Sequence, residues 1–442
     1  MLKEKYDMVV VGAGPAGLMT AKTAAQEGLS VLIMDMKRDI PKIDRSCCTM
    51  LINEPSTHGD TCTIVNNNTI HYEKLGLDVK YTGQWARLEQ SIRITPGGKK
   101  LIMSNPNGVS IAYNKEVLLR GILEDCEKLG VDVLTETFGL RAENTKKDEV
   151  KVLFRGSRSR TISSVKARIA VAADGVNSQI AMGLESFKKR KFFVTFRVAS
   201  YFLEGVKSPF PPAFIIFVGR GHTPDGNGAM YMLDKHLADA KPGDKPIIDL
   251  MYATPVINTS NKMGLDNFLK NGRFKHWFEG AKVVHTAAAT LNFYTCMLEP
   301  AEGNIIAVGD APSFIETYCQ GAMMYGYKAA KVAAEHLRTG CGYNEYAEYW
   351  RKTFEYCWPG EIEKALRGYG IGFLNDEELD YLFGLTDNEI YDGYVSENTA
   401  PAVMKDAFMS KMDRIKKERP EIAEKFLKFH QSDAHEVLEK TK

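Results

Sequence analysis

The chain has 442 residues, 44% of them hydrophobic, which is enough for two or three domains with sizeable cores. Its 57 lysines and arginines nearly balance its 56 acidic residues, so no net charge draws it to nucleic acid. We expect neither a membrane span nor a signal peptide, because no apolar run is long enough and a strand begins at Tyr6. The eight cysteines lack zinc-ligand and iron–sulfur spacing, so we expect no metal and a reduced, cytoplasmic protein.

The N-terminal segment carries every part of a dinucleotide-binding pattern in order. A strand at Met8–Val11 leads into a glycine-rich turn and a helix that we expect at Pro15–Gln26. Gly12 permits the tight turn, Gly14 lets the backbone approach a pyrophosphate, and Gly17 lets the helix pack on the strand. The helix then points its first N–H groups at the phosphates.

A second strand, expected at Ser30–Met34, ends at Asp35. A carboxylate at this position is placed to accept hydrogen bonds from a ribose 2′-hydroxyl, which argues against a cofactor with a 2′-phosphate. The complete order of strand, glycines, helix, strand and acid therefore predicts a nucleotide cofactor.

The rest of the chain predicts an interleaved α/β fold. A helix at Lys115–Leu129 and strands at Val131–Leu134, Val150–Phe154 and Ala167–Ala173 return to the first domain, whereas alternating strand-type segments fill about 185–300. We expect a Rossmann-like FAD-binding domain (1–75, 113–183 and 301–340), a mixed-sheet substrate domain (76–112 and 184–300) and a helical C-terminal region (341–442).

A second glycine-rich stretch, Gly219–Gly221, is interpreted as part of a hairpin. Phe214–Val218 precedes it, a turn is expected at Pro224–Gly226, and Ala229–Leu233 is the predicted returning strand. No helix follows these glycines, so the alternative of a second nucleotide site is disfavoured. The reductant must then reach the cofactor transiently or through the substrate's entrance.

Two further predicted strands end in acidic residues. Ile169–Ala173 leads into Asp174, with an ordinary turn as the alternative interpretation, and Asn304–Val308 leads into Asp310. The Asp310 carboxylate can accept hydrogen bonds from a ribityl chain. A helix expected from about Ala322 would point its positive end beyond Asp310 and stabilise negative charge on a reduced flavin.

The nucleotide-binding motif and the two later strand ends at Asp174 and Asp310 together resemble a known protein family. The three motifs resemble FAD proteins of the para-hydroxybenzoate hydroxylase fold, and among these the geranylgeranyl reductase family most closely. Tyr346–Arg351 and Leu374–Phe383 are similar to the tail of that family. The resemblance implies FAD, a mixed substrate sheet and reduction of carbon–carbon double bonds in prenyl chains.

The resemblance also implies FAD contacts. Ala16, Asp35, Asp310 and the pair Ala322-Met323 match family contacts. Arg45 and Cys48 fall where the family has an arginine or proline and a Cys-Gly pair near the flavin, and Lys115 stands where an arginine is common. Together with the motif residues, the expected cofactor-binding set is Gly12, Gly14, Ala16, Gly17, Asp35, Arg45, Cys48, Lys115, Asp174, Asp310, Ala322 and Met323.

Two departures from the family lie at the substrate face. The family has an Asn-Pro and a run of glycines after its Gly-Asp pair, where this chain has Glu316–Gly321. Gly228–Met232 stands at about the place of the family's Tyr-x-Trp-x-Phe-Pro substrate motif. These differences point to a substrate other than the standard prenyl lipid.

A flavin reductase needs a hydride donor and usually a positioned acid. The candidates expected to border the reacting carbon are Cys47, Cys48, Glu316, Tyr318 and Cys319. Each has a structural alternative: a cysteine is often a small buried hydrophobe, and the other residues can cap the following helix. The sequence does not single out one of them.

Three functions remain open. The first is reduction of double bonds in an apolar substrate, of which a prenyl chain is one candidate, with NAD(P)H or a redox protein as electron donor. The second is an aromatic monooxygenase, although Ser313 and Met323 occupy the places of its usual His and Asn. The third is a flavin redox carrier or sensor. The basic run Lys188–Lys191 indicates either peripheral membrane contact or a solvated face.

Overall fold

The computed structural model describes residues 3–55, 57–223, 228–236, 244, 246–255, 260–369 and 373–431. The strands within these ranges are β1 Lys5–Val11, β2 Val31–Met34, β3 Met50–Leu51, β4 Cys62–Val65, β5 Thr69–Tyr72, β6 Leu77–Lys80, β7 Trp85–Leu88, β8 Gln90–Ile94, β9 Lys100–Ser104, β10 Ser110–Tyr113, β11 Asp132–Leu134, β12 Thr137–Lys146, β13 Glu149–Gly156, β14 Ser163–Ala172, β15 Phe192–Glu204, β16 Ala213–Phe217, β17 Ala229–Lys235, β18 Ile247–Thr254, β19 Lys282–Tyr294, β20 Ala301–Glu302, β21 Ile305–Ala307 and β22 Ile390–Asp392. The helices are α1 Pro15–Gln26, α2 Lys115–Lys128, α3 Glu185–Lys188, α4 Asn261–Asn271, α5 Tyr318–Thr339, α6 Asn344–Thr353, α7 Glu361–Tyr369, α8 Asp376–Gly384, α9 Ala400–Met409, α10 Met412–Glu418 and α11 Pro420–Gln431.

The N-terminal sheet has the strand order β11-β2-β1-β14-β13-β12, and β21 lies parallel beside the C-terminal half of β14. Its central strands are parallel and buried on both faces, which explains their continuous apolar runs. The carboxyl ends of β2, β14 and β21 lie at one edge of this sheet. That edge therefore gathers Asp35, Asp174 and Asp310, which follow these three strands.

The large sheet has the order β19-β15-β18-β17-β16-β8-β9-β22. It is mixed, because β16 runs parallel to β8 and β22 parallel to β9 while the remaining pairs are antiparallel. Side chains alternate along each strand: Ile215 and Met232 pack under α4, whereas Ile216 and Tyr231 face a cavity. The mixed α/β class and the helical C-terminal region are confirmed.

The C-terminal region also differs from the expectation. Helices α8 to α11 form a hydrophobic cluster against Leu101 and Met103 of β9. Between them, β22 extends the large sheet, so this region is not purely helical. Two three-stranded sheets, β4-β5-β6 and β3-β10-β7, each combine strands from both predicted domains. The domain boundaries themselves stay a prediction.

The individual elements agree with the sequence to differing degrees. Helix α1 has the predicted bounds, and the predicted hairpin of β16 and β17 is present, although its expected turn at Pro224–Gly226 lies outside the described residues. The expected start of α5 near Ala322 is wrong, because the helix begins at Tyr318. In the described part of the chain, no helix is long and apolar enough to cross a membrane.

Candidate active site

The glycine-rich turn leaves room for a ligand in front of α1. Gly12 has φ +97°, and a Cβ there would overlap the Ala173 carbonyl, so the tight turn requires glycine. A Cβ on Gly17 would overlap the Gly12 carbonyl oxygen, which explains the close packing of helix and strand. A Cβ on Gly14, in contrast, would meet no protein atom within 4 Å. This open space before a helix N-terminus fits a pyrophosphate.

Two carboxylates flank this space. Asp35 accepts hydrogen bonds from the Ala13 N–H at 2.7 Å and the Lys37 N–H at 2.8 Å. Asp310 uses Oδ1 to accept from the N–H and hydroxyl of Thr317, at 2.8 and 2.9 Å. Both side chains line the same cavity, and because a carboxylate oxygen can accept more than one hydrogen bond, each keeps acceptor capacity for ribose or ribityl hydroxyls.

Asp174 is engaged locally. Its carboxylate accepts hydrogen bonds from the Ser178 hydroxyl and from the Gln179 N–H, the latter at 2.7 Å. These bonds cap the turn that follows β14, as in the alternative interpretation of this motif. Burial raises the pKa of Asp174, although the same hydrogen bonds oppose the shift. The exposed Arg45 lies over Gly175 at the rim of the cavity.

One continuous cavity of about 530 Å³ joins the dinucleotide edge to the large sheet. At one end it is lined by Gly12, Asp35 and Asp310, and at the other by apolar side chains of the sheet and of α7 and α9. All five candidate catalytic residues line its middle: Cys47, Cys48, Glu316, Tyr318 and Cys319. The structure therefore brings the predicted catalytic and cofactor residues into one space.

Cys47 lies between two lysines. The Lys115 Nζ is 3.4 Å from its Sγ, and the Lys235 Nζ donates to its carbonyl oxygen at 2.7 Å. Burial alone would raise the pKa of Cys47, but the charges of Lys115 and Lys235 lower it by more, so the net pKa is lowered. The thiolate is therefore more populated here than at an ordinary cysteine.

Lys235 is fully buried together with Asp249, whose Oδ2 lies 2.5 Å from its Nζ. The ammonium also lies 4.2 Å from the centre of the Phe202 ring. A buried lysine is stable only with partners of this kind. Asp249 and Phe202 therefore hold the Lys235 ammonium in the position from which it binds the Cys47 carbonyl. His285 holds the same loop, with Nε2 at 3.0 Å from the Ile43 carbonyl oxygen. The large sheet, rather than the N-terminal sheet, thus positions the cysteine pair.

Cys48 and Cys319 differ from Cys47. Burial and the neighbouring Glu316 raise the pKa of Cys48 well above its ordinary value. Burial raises the pKa of Cys319 to about 11, against the opposing charge of Lys115. Both thiols are therefore neutral near pH 7.

Glu316 is held in its neutral form. Burial raises its pKa well above the ordinary value, and the carboxyls of Glu397 and Asp310 raise it further, against the charge of Lys115. Burial also raises the pKa of Glu397, which lines the same part of the cavity. A carboxyl group that keeps its proton at neutral pH can act as a general acid.

Tyr318 joins this group through an uncommon backbone conformation. It has φ +50°, a region that residues other than glycine rarely adopt. Its ring centre lies 5.6 Å from that of His58, and its hydroxyl accepts a long hydrogen bond of 3.4 Å from the Glu397 N–H. The turn thereby carries the Tyr318 side chain into the cavity.

His58 is a site residue that the sequence does not reveal. It is 1% exposed, with Nδ1 at 3.0 Å from Glu355 Oε2 and Nε2 at 2.9 Å from the Thr317 carbonyl oxygen. Its two ring nitrogens therefore face a carboxylate and a carbonyl oxygen, both of which are acceptors. His58 thus anchors Thr317, which in turn binds Asp310.

Comparison with known proteins agrees with this geometry. Residues 10–40 match a family model described as an NAD(P)-binding Rossmann-like domain. The digeranylgeranylglycerophospholipid reductase of Methanosphaerula palustris is 25% identical over 368 residues, 79% of this chain and 82% of that protein. The same enzyme of Methanosarcina acetivorans is 25% identical over 402 residues, 86% of this chain and 88% of that protein.

Solved structures share the fold. A geranylgeranyl bacteriochlorophyll reductase-like protein of Thermoplasma acidophilum aligns with a TM-score of 0.67 and 17% identity, over 96% of this chain and 99% of that chain. The chain is thus similar to geranylgeranyl reductases in sequence and in fold. An aklavinone-11 hydroxylase solved with FAD has a TM-score of 0.54 and 17% identity, over 79% of this chain and 66% of that chain. The predictions of the family resemblance, of an FAD-dependent oxidoreductase and of FAD as its cofactor are confirmed.

Of the two expected FAD contacts on α5, one lies deeper than the sequence predicts. Ala322 lines the cavity, whereas Met323 is fully buried in the core. Because α5 begins at Tyr318, the unsatisfied N–H groups of its first turn belong to Tyr318, Cys319 and Gln320. The positive end of the α5 dipole therefore lies at Tyr318, four residues before the predicted start.

Asp35→Ala should weaken FAD binding by about 1–3 kcal/mol, because a buried ribose hydroxyl loses its acceptor. The Ala13 N–H loses its partner as well. The dissociation constant can be measured from flavin fluorescence during reconstitution of the apoprotein. Glu4→Ala, an exposed acid outside the cavity, is the control. An unchanged affinity in Asp35→Ala would remove Asp35 from the FAD site.

Proposed function

We propose that this protein is an FAD-dependent reductase that adds two hydrogens across a carbon–carbon double bond of an apolar substrate. Three features support the proposal. The curated relatives are named reductases of a digeranylgeranyl lipid. The expected cofactor-binding residues and apolar side chains line one cavity. Glu316, a carboxyl whose pKa is raised, lines the same cavity as both of these surfaces, and this placement is the observation that carries the proposal.

The reaction needs a hydride and a proton at adjacent carbons. Reduced FAD, when bound, supplies the hydride. Glu316 donates its proton to the second carbon and regains one from solvent by way of Glu397. The buried surroundings that raise the pKa of Glu316 keep it protonated between turnovers, so the acid is ready each time substrate enters.

The cationic groups around Cys47 have a complementary role. Burial by itself lowers the pKa of Lys115, but Cys47 and Cys319 raise it by more, so the ammonium stays charged. Together with the first N–H groups of α5, it places positive charge beside the cofactor-binding residues. This field favours a cofactor that holds negative charge in its reduced state.

The apolar face of the large sheet binds the substrate in this proposal. Phe214, Ile216, Met251 and Phe293 line the cavity there, and burial of a hydrocarbon chain against them is favourable. An apolar cavity of this size favours an enzyme over a carrier, because electron transfer alone needs no space for a second molecule.

We propose that only part of the basic run Lys188–Lys191 contacts a membrane surface. Lys188, Lys189 and Lys191 are exposed beside Phe192, which is 50% exposed. Arg190, in contrast, donates to the carbonyl oxygens of Thr295 and Ala311, at 2.5 and 3.0 Å. The arginine is thus an internal anchor of the loop after β21. Lys188 pairs with Glu185 at 2.5 Å, so Lys189 and Lys191 remain for an anionic surface.

The proposal is tested by anaerobic reoxidation. The protein is purified with FAD, reduced with dithionite and mixed with a panel of alkenes, including polyprenyl compounds. We expect one alkene class to reoxidise the flavin, with a stoichiometric product two mass units heavier by mass spectrometry. Gain of an oxygen atom in air, in step with flavin turnover, would establish the monooxygenase alternative. Electron exchange with a protein partner and with no small molecule would establish the carrier.

A further inference from the structure

A buried arginine faces the apolar end of the cavity. Arg93 is on β8, is 6% exposed and lines the cavity. Among the described residues, its guanidinium has one hydrogen bond, donated to the Ser91 hydroxyl at 2.6 Å, and no carboxylate lies within ion-pair distance. The other donors of this group are therefore available to a ligand.

An arginine in this setting is costly. Burial lowers the pKa of Arg93 to about 10, although Tyr231 and Glu397 oppose that shift. The group therefore remains charged at neutral pH, and a charge removed from water destabilises a protein unless something pairs with it. The serine hydroxyl is neutral and cannot balance the charge.

The neighbours of Arg93 on the sheet define what such a ligand looks like. Arg93, Ile216, Tyr231 and Met251 are in register on four adjacent strands, so their side chains lie in a row on the cavity face. Ile216 and Met251 are apolar, and burial raises the pKa of Tyr231, so its hydroxyl remains a neutral donor. The row combines one cation, one neutral donor and apolar surface.

We propose that Arg93 binds a carboxylate of the substrate, which is therefore an unsaturated acid with an apolar chain. The inference rests on the proposed function and specifies its substrate class. A planar guanidinium matches a carboxylate with two parallel hydrogen bonds, and its single charge balances a single negative charge. A phosphate monoester would bring a second negative charge that the single charge of Arg93 does not balance.

The test measures binding of saturated probes, so it does not depend on any reduction. The oxidised holoprotein is titrated with dodecanoate, methyl dodecanoate and dodecyl phosphate, each below its critical micelle concentration, and the flavin absorbance and calorimetric heat are recorded. We expect dodecanoate to bind about 10- to 100-fold more tightly than the ester, as a charge-assisted hydrogen-bonded pair requires. Equal affinities of acid and ester would overturn the proposal, and tighter binding of the phosphate would overturn the carboxylate assignment.

Arg93→Met keeps much of the volume and removes the charge. We expect it to bind dodecanoate and its methyl ester equally and to keep its FAD. Arg93→Lys, which retains the charge without the planar fork, should keep a reduced preference for the acid and is informative if Arg93→Met does not fold. A full acid preference in Arg93→Met would overturn the assignment. Failure of every alkene in the reoxidation test, with acid binding intact, would count against the reaction and not against this site.

Discussion

Glu316→Gln should slow reoxidation of the reduced protein by its alkene substrate by about 10²- to 10⁴-fold while FAD stays bound. Glutamine has nearly the same shape as glutamate but no acidic proton. Hydride transfer would therefore lack the proton that must reach the second carbon of the double bond. The rate is measured by anaerobic stopped-flow absorbance of the flavin. Glu345→Gln, on the outer face of α6, is the matched control and should have the wild-type rate. A wild-type rate in Glu316→Gln would exclude it as the proton donor.

The pH dependence gives a second test of the same carboxyl. A general acid works below its pKa, so the reoxidation rate should persist through neutral pH and decline only as pH approaches the raised pKa of Glu316. The Gln variant should lose that decline. If the wild-type rate already declined across the ordinary carboxyl range near pH 4–5, the neutral form would not be the active one.

Stability should depend on the same proton. When pH rises above the ordinary carboxyl pKa, the unfolded chain releases a proton that folded Glu316 keeps, so the free energy of unfolding falls with pH up to the folded pKa. The Gln variant cannot ionise and escapes this decline. Its melting temperature should therefore rise relative to the wild type between about pH 5 and 8.

His58→Ala should lower the free energy of unfolding by about 3–5 kcal/mol, because it leaves the Glu355 carboxylate buried without its partner. Both residues are 1% exposed, and they join segments 297 positions apart. Urea denaturation measures the change. The matched control is His71→Ala, whose pair with Asp78 is 35% and 66% exposed and should contribute no more than about 1 kcal/mol.

A double variant separates loss of the pair from loss of the side chains. His58→Leu with Glu355→Leu should recover much of the stability lost in His58→Ala, since apolar residues of similar volume often replace buried ion pairs at little cost. His58→Ala should also weaken FAD binding, because Thr317 loses its anchor and no longer holds Asp310. A His58→Ala variant within 1 kcal/mol of the wild type would contradict the buried ion pair.

The sequence predicts the cofactor end of the site well because its signals are local. The glycine spacing, the apolar strand and the acid after β2 lie within about 30 residues, so each constrains its neighbours directly. Asp310 is predicted in the same way, because it follows the apolar strand β21 and a glycine. The start of α5 was misplaced by four residues because its first turn is held from outside, through the bond from His58 to the Thr317 carbonyl.

The substrate end could not be predicted in the same way. His58 resembles a loop histidine in the sequence, and its burial depends on Glu355, far along the chain. On β8, Ser91 and Arg93 alternate with Ile92 and Ile94, a pattern that is typical of a strand with one solvated face. That face is buried because distant segments, including α7 and α9, close the cavity over it.

The left-handed backbone of Tyr318 has a conformational cost. The resemblance places a run of glycines at this turn, and glycine adopts positive φ freely, whereas a tyrosine incurs about 1–2 kcal/mol. Tyr318 nevertheless has φ +50°, and its side chain lines the cavity. The turn therefore gives up folding free energy to place a phenol in the cavity, which is local strain of the kind that clusters at functional sites.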